Sequence, residues 1–129
     1  MNKILVEVSV GELLDKISIL EIKKDKIKDS AKLKFINNEH TILKGQLDQN
    51  VKPDDKLNKL FKSLKEINSK LWVIEDEKRM YEKNSDFTGN FIKLSRDVHF
   101  LNDDRAKIKL EINNHTGSKI KEIKEYTSY

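Results

Sequence analysis

Apolar residues recur three or four positions apart along most of the chain, which is the spacing of one face of an α-helix. The longest run, over residues 53–83, places this seam at Leu57, Leu60, Leu64, Ile67, Leu71, Ile74, Lys78 and Tyr81. A second run, over residues 89–113, places it at Phe91, Leu94, Val98, Leu101, Arg105, Ile108 and Ile112. Two such seams separated by a short polar stretch predict a long antiparallel hairpin of coiled-coil-like helices.

Two further helices are predicted before the hairpin. Ser9 and Glu12 have the spacing of a capping box, which opens a first helix that fades near residues 29–30. A second helix is predicted to start there, at Asp29 or Ser30, and to end before the polar stretch 49–52. Pro53 suits the first position of the third helix.

The two ends of the chain carry shorter patterns. Residues 4–8 are rich in β-branched side chains and predict a short extended arm. Ser118 is predicted to cap a short C-terminal helix carrying Ile120, Ile123 and Tyr126. We therefore expect one all-α domain over residues 1–129, with two helices packed on the long hairpin and a short helix at the end.

Composition narrows the classes of function. The chain is 36% hydrophobic and 37% charged, so each helix can bury only one stripe, and the apolar area left exposed predicts a homodimer. Because basic and acidic residues are interleaved and the net charge is only +4, no nucleic-acid partner is indicated, although a protein partner is left open. No segment approaches the ~20 apolar residues of a membrane span, and the expected location is the cytoplasm. The absence of cysteine excludes thiolate metal sites and thiol nucleophiles.

The arginines are the most informative polar residues. Only three of the 26 basic residues are arginine, and Arg79, Arg96 and Arg105 all follow the single tryptophan, Trp72. A planar guanidinium contacts a carboxylate or phosphate at two points, which lysine cannot do. Arg105 also occupies a seam position where an apolar residue is expected. The candidate site residues are Glu21, Trp72, Glu75, Arg79, Asn102 and Arg105.

This polar set has three interpretations. The first interpretation is an internal ion-pair network that fixes helix register, with Glu21 and Glu75 as the expected acceptors for Arg79 and Arg105. Alternatively, these side chains are simply solvated on a thin bundle. The third interpretation is a cleft that binds a small anion, a sugar or a nucleotide, in a binding protein or an enzyme. Arg96 lies on another side of its helix and is expected to be exposed, or paired only with an acidic residue of the surface.

Other chemistries have weaker support. Glu12 and Asp15, or Glu75 and Asp76, offer carboxylates of the kind that Mg²⁺ prefers. The first pair matches the E-x-x-D letters of all-α nucleotide pyrophosphohydrolases, but no E-x-x-E partner accompanies it. Small all-α chorismate mutases also bury arginine and glutamate in helical bundles, whereas the first helix here carries lysines. No metal site and no cofactor is therefore predicted.

Several motifs occur together over nearly the whole chain. They are VSVGELLDKISILEIK over residues 8–23, LWVIEDEKR over 71–79 and NDDR over 102–105, followed by the region 117–126. In this combination the chain resembles a small family of uncharacterised bacterial and marine-phage proteins. The resemblance implies no particular activity. It does imply that the motif segments belong together, which agrees with the clustering of the arginines.

Overall fold

The chain folds into helices joined by short connections. The structure is a computed structural model that describes residues 2–129, and within that range it contains four α-helices and no strand. They are α1 (Val10–Lys26), α2 (Ser30–Asn50), α3 (Asp55–Lys83) and α4 (Gly89–Thr116). The all-α prediction is confirmed. None of the helices in residues 2–129 is both long and apolar enough to cross a membrane.

Polar residues define where the helices begin. Ser9 accepts a hydrogen bond from the backbone N–H of Glu12, as a capping box requires, but the Glu12 carboxylate turns away to Lys109. Asp29 caps α2 through the N–H groups of Ala31 and Lys32. Each of these bonds satisfies an N–H that the first turn of a helix otherwise leaves free.

Three predicted helix boundaries are corrected by the structure. Helix α3 begins after Pro53, because Asp54 accepts from the N–H of Leu57 at 2.7 Å and therefore occupies the cap position. Helix α4 continues three residues past position 113, to Thr116. It ends where Gly117 adopts a left-handed φ of 67°, a conformation that glycine enters without steric cost. Helix α2 likewise extends into the predicted loop, as far as Asn50.

The hairpin of α3 and α4 is the frame of the molecule. Its seam residues face inward: Leu64 is fully buried, Leu71 is 9% exposed, and Ile67, Val98 and Leu101 are half-buried. Every buried residue of α3 lies at or before Leu71, and every buried residue of α4 lies at or after Lys109. The core therefore occupies the open end of the hairpin. We call residues 72–108, where no residue is fully buried, the distal arm.

Helix α1 completes the core by packing on both helices of the hairpin. The central cluster consists of Leu14, Leu57, Leu64 and Ile112. Helices α1 and α4 come very close at Gly11, where a Cβ atom would lie 2.6 Å from the backbone oxygen of Lys109. Only glycine permits this approach, which sets the spacing of the two helices.

Helix α2 packs on α1 and has no fully buried residue of its own. Leu47 and Val51 reach the core cluster from the end of α2. Further toward its start, Phe35 is 77% exposed and Ile42 is 56% exposed. This helix covers α1 and leaves apolar surface facing outward.

The predicted C-terminal helix does not form. Residues 118–129 contain no helix, and the hydroxyl of Ser118 accepts from the backbone N–H of Val10 at 3.2 Å. Ser118 therefore serves the start of α1 rather than the start of a helix of its own. The N-terminal residues 2–8 are exposed and form neither helix nor strand.

Candidate functional site

A buried carboxylate, that of Asp15, is the centre of the polar residues between α1, α3 and α4. Its side chain is 2% exposed. Arg105 donates from Nε to Oδ1 at 2.9 Å and from Nη2 to Oδ2, which is the two-point geometry of a guanidinium on a carboxylate. Asn68 donates to the same Oδ1 at 2.8 Å. Burial raises the pKa of Asp15, but the bonds from Arg105 and Asn68 and the charges of Arg105 and Lys109 lower it more, so the net pKa lies below its ordinary value.

Lys109 extends this network along α4. It lies four residues after Arg105, one turn further along the same face. Its Nζ lies 2.6 Å from Glu12 Oε2, 3.8 Å from Asp15 Oδ2 and 3.3 Å from Glu122 Oε2. Burial lowers the pKa of Lys109, but the hydrogen bond that Lys109 donates to Glu12 and the negative charges of Asp15, Glu12 and Glu122 raise it above its ordinary value. The ammonium group is therefore held in its charged form among acids from α1 and the C-terminal segment.

The remaining polar atoms of the network satisfy one another. The second N–H of the Asn68 amide donates to Ser18 Oγ at 2.8 Å, and Ser18 Oγ donates to the backbone oxygen of Asp15 at 2.7 Å. Within residues 2–129 no buried side-chain nitrogen or oxygen is left without a partner. A buried network in which every polar group has a hydrogen-bond partner holds its helices in one register, because any shift would leave a buried charge without a partner.

A cavity of about 310 Å³ lies beside this network. Ile19 and Ile22 of α1 and Leu71 of α3 give it an apolar floor. The polar side chains Asn68, Glu75, Asp76, Arg79 and Arg105, together with Trp72, complete the lining. Arg105 thus faces two ways, toward Asp15 in the network and toward the cavity.

Four of the six candidate residues line this one cavity: Trp72, Glu75, Arg79 and Arg105. Asn102 lies behind Arg105, and its side-chain oxygen accepts from Nη1 at 3.3 Å. Glu21 is separate. Its carboxylate pairs with Lys65 at 3.1 Å and with the His40 ring at 3.2 Å.

The expected partners of the arginines need correction. Arg105 pairs with Asp15 and not with Glu21 or Glu75, because Asp15 faces α4 whereas Glu21 faces Lys65 and α2. Arg79 and Glu75 are both exposed and have no ion-pair partner within 4.0 Å in the described part of the chain. Arg96 is exposed as expected, with its guanidinium 5.9 Å from the ring centre of Phe100.

Sequence reasoning missed Asp15 and Lys109 as members of the cluster. In the sequence, Asp15 appears only as one letter of a possible metal-binding motif, and Lys109 is one lysine among many. One signal was available, since Asp15 interrupts the apolar stretch between Leu14 and Ile17 and therefore needs a buried partner. Lys109 gives a weaker signal because it flanks the seam residue Ile108 rather than occupying the seam.

The side chains of residues 2–129 form no group of three or more acidic or histidine residues that could hold a metal ion. The arrangement can instead hold charges of both signs. In the network, the cations pair with acids of the same chain, and at the cavity Arg79 lies beside two carboxylates of its own helix, Glu75 and Asp76. No nucleophile with an adjacent base is found at the cavity lining.

The chain matches the sequence model of one protein family. The sequence model of DUF6165, a family of unknown function, matches residues 4–129. The chain belongs to this family. The DUF6165 match spans all four helices, so the network and the cavity both lie inside the matched region. No curated protein and no solved structure gives a significant match.

Proposed function

We propose that this protein is a helical scaffold that pairs with a second copy of itself through its distal arm. The observation that carries the proposal is apolar exposure on both helices of the arm. Val73 and Met80 of α3, seven residues apart on one face, are 44% and 53% exposed, and Phe100 of α4 is 39% exposed. Large apolar side chains exposed on two neighbouring helices are typical of an interaction surface.

A groove between α3 and α4 supplies the place of contact. It has a volume of about 610 Å³ and is lined by the apolar side chains of Val73, Ile74, Phe100 and Leu101, together with Asp97 and with Ser69 and Lys70, which lie just before the arm in the chain. A helix face from another molecule fits such a groove better than a small polar ligand does, because the groove is open and apolar.

Charge at the edges of the groove favours a second copy as the occupant. Lys70 lies on the α3 edge and Asp97 on the α4 edge. In a twofold pairing whose axis runs along the groove, each edge of one copy meets the opposite edge of the other, so Lys70 faces Asp97 and the reverse contact forms as well. Asp97 is paired with Lys93 at 2.7 Å in the single chain. That pair is exposed, so exchanging it for an interfacial contact changes little in free energy.

The network gives this scaffold its rigidity. It fixes α1 on the open end of the hairpin, and the distal arm extends from that fixed base. In this proposal, Asp15, Arg105 and Lys109 determine the direction of the arm, while the groove recognises the partner.

Sedimentation equilibrium tests the proposal. Val73→Glu and Phe100→Glu should convert a dimer to a monomer with the circular dichroism spectrum unchanged, because both positions are exposed. Ile42→Glu, an exposed apolar residue of α2, is the matched control and should leave the dimer intact. A charge swap identifies the geometry: Lys70→Asp and Asp97→Lys should each weaken the dimer, and the double variant should restore it. A monomeric wild-type protein, or a dimer that none of the groove variants weakens, would refute the proposal.

A further inference from the structure

The cavity beside Arg105 combines an apolar floor with charges of both signs at its edge. We infer that it binds a small zwitterion with an apolar side chain, of the chemical class of free α-amino acids. This site is separate from the groove of the distal arm. The cavity is lined from α1, α3 and α4, whereas the groove is lined from α3 and α4 alone.

The two arginines supply the carboxylate-binding part. A guanidinium has five N–H donors. Arg105 directs one each from Nε and Nη2 to Asp15 and one from Nη1 to Asn102, so two remain. Arg79 lines the same cavity and has no ion-pair partner within 4.0 Å in residues 2–129. A carboxylate between these two side chains receives charge-assisted hydrogen bonds from both.

The acidic residues define the second charge of the ligand. Glu75 and Asp76 line the cavity next to Arg79, and neither forms an ion pair within 4.0 Å in residues 2–129. Two carboxylates at the edge repel a phosphate, which carries a multiple negative charge, and this argues against nucleotides and sugar phosphates. They accept hydrogen bonds from an ammonium group. A ligand with one carboxylate and one ammonium group satisfies both sets.

The apolar floor and the volume of the cavity indicate the side chain and the size of the ligand. Ile19, Ile22 and Leu71 offer no hydrogen bond from their side chains, so they favour an aliphatic group. Trp72 adds a large apolar surface at the wall. A volume of about 310 Å³ lies at the lower end of the ~300–1,000 Å³ range of ligand pockets, which suits a molecule of amino-acid size.

Trp72 provides the measurement, because it is the only tryptophan of the chain and it lines the cavity. We would titrate L-leucine and L-methionine into the full-length protein and follow the tryptophan emission. N-acetyl-L-leucine lacks the ammonium group, and L-leucinamide lacks the carboxylate. Glucose 6-phosphate and inorganic phosphate represent anions without an apolar part. The inference predicts saturable change with the two amino acids and little with the other four compounds.

Two variants connect the signal to the site. Arg79→Met should raise the Kd for the amino acid at least about tenfold, the loss expected for one charge-assisted hydrogen bond. It should leave the melting temperature unchanged, because Arg79 is exposed and unpaired within residues 2–129. Arg96→Met is the matched control, since it removes an exposed arginine that does not line the cavity, and it should bind as the wild type does.

Each other outcome overturns the inference. An absence of saturable change with either amino acid at millimolar concentration would exclude the class. Equal binding of N-acetyl-L-leucine or L-leucinamide would show that one charge suffices, and tighter binding of either phosphate compound would identify an anion site instead. An unchanged Kd in Arg79→Met would place the binding elsewhere.

Discussion

Arg105 donates from Nε to Oδ1 of Asp15 at 2.9 Å, and this contact joins α4 to α1 across 90 positions of the chain. The carboxylate is almost fully buried, whereas a quarter of the arginine side chain is exposed. A buried charge without a partner is costly, so each of these residues depends on the other being in place. The pair therefore fixes how α1 lies on the hairpin.

Replacing Lys109 tests whether the network supports stability beyond the central pair. Lys109→Met keeps most of the buried aliphatic volume but removes the charge between Glu12 and Asp15. We expect a loss of about 1–3 kcal/mol in the free energy of unfolding, because Glu12 loses its donor at 2.6 Å and the buried Asp15 loses a positive charge 3.8 Å away. Urea unfolding measures this loss. Lys107→Met, at an exposed position of the same helix, should stay within ~0.5 kcal/mol of wild type, and equal effects of the two variants would contradict the account.

Acid should weaken the protein through Asp15. The pKa of Asp15 is depressed in the folded state, so its contribution is fully present above the unfolded value of about 3.9 and is lost as the pH falls through the lower folded value. Asp15→Asn removes the titration. We expect the difference in unfolding free energy between wild type and Asp15→Asn to be constant from neutral pH to about pH 5 and to narrow below about pH 4.

Chemical denaturation across this pH range measures that difference. Asp76→Asn, at an exposed carboxylate without an ion-pair partner within 4.0 Å in residues 2–129, is the control and should run parallel to the wild type. A gap for Asp15→Asn that stays constant down to the acid transition would contradict a depressed pKa.

Replacement of two helical glycines by alanine should change the free energy of unfolding in opposite directions. Gly11→Ala brings a Cβ atom to 2.6 Å from the Lys109 backbone oxygen and 3.0 Å from Asn113 Oδ1, so α1 must move away from α4. The expected loss is about 1–3 kcal/mol. Gly45→Ala meets nothing within 4 Å in the interior of α2 and should gain about 0.5–1 kcal/mol. Thermal unfolding of both variants measures these effects, and a neutral Gly11→Ala would show that the close packing at this position is not required.

Some of this structure could be predicted from sequence and some could not. The spacing of Leu57, Leu64 and Leu71 identified α3, because a heptad seam records which face of a helix is buried. It does not record which residue lies opposite, and so Asp15 was missed as the partner of Arg105. The expected cytoplasmic location and the homodimer stay predictions.

The C-terminal segment shows a second limit. The spacing of Ile120 and Ile123 fits a helix, but a stretch this short is stable only if its apolar face is covered. Ile123 is 88% exposed, and Ser118 contributes its hydroxyl to the start of α1 instead. Likewise, the charge of Arg105 at a seam position indicates that this residue needs a partner. It does not indicate whether a cavity lies beside the residue. The cavity next to Arg105 is lined by residues of α1, α3 and α4 together, and no pattern within one helix encodes such an arrangement.

The most direct test of the account is a double-mutant cycle on Asp15 and Arg105, read by urea unfolding at neutral pH. Asp15→Leu and Arg105→Met should each lose on the order of 3–5 kcal/mol, because each leaves the other charge buried without its main partner. The double variant should lose at least about 1.5 kcal/mol less than the two single losses combined. The exposed pair Lys44 and Asp48, 3.1 Å apart, should show a coupling near zero in the same cycle. If the losses at Asp15 and Arg105 simply add, the two residues act independently and the network does not hold α1 in register.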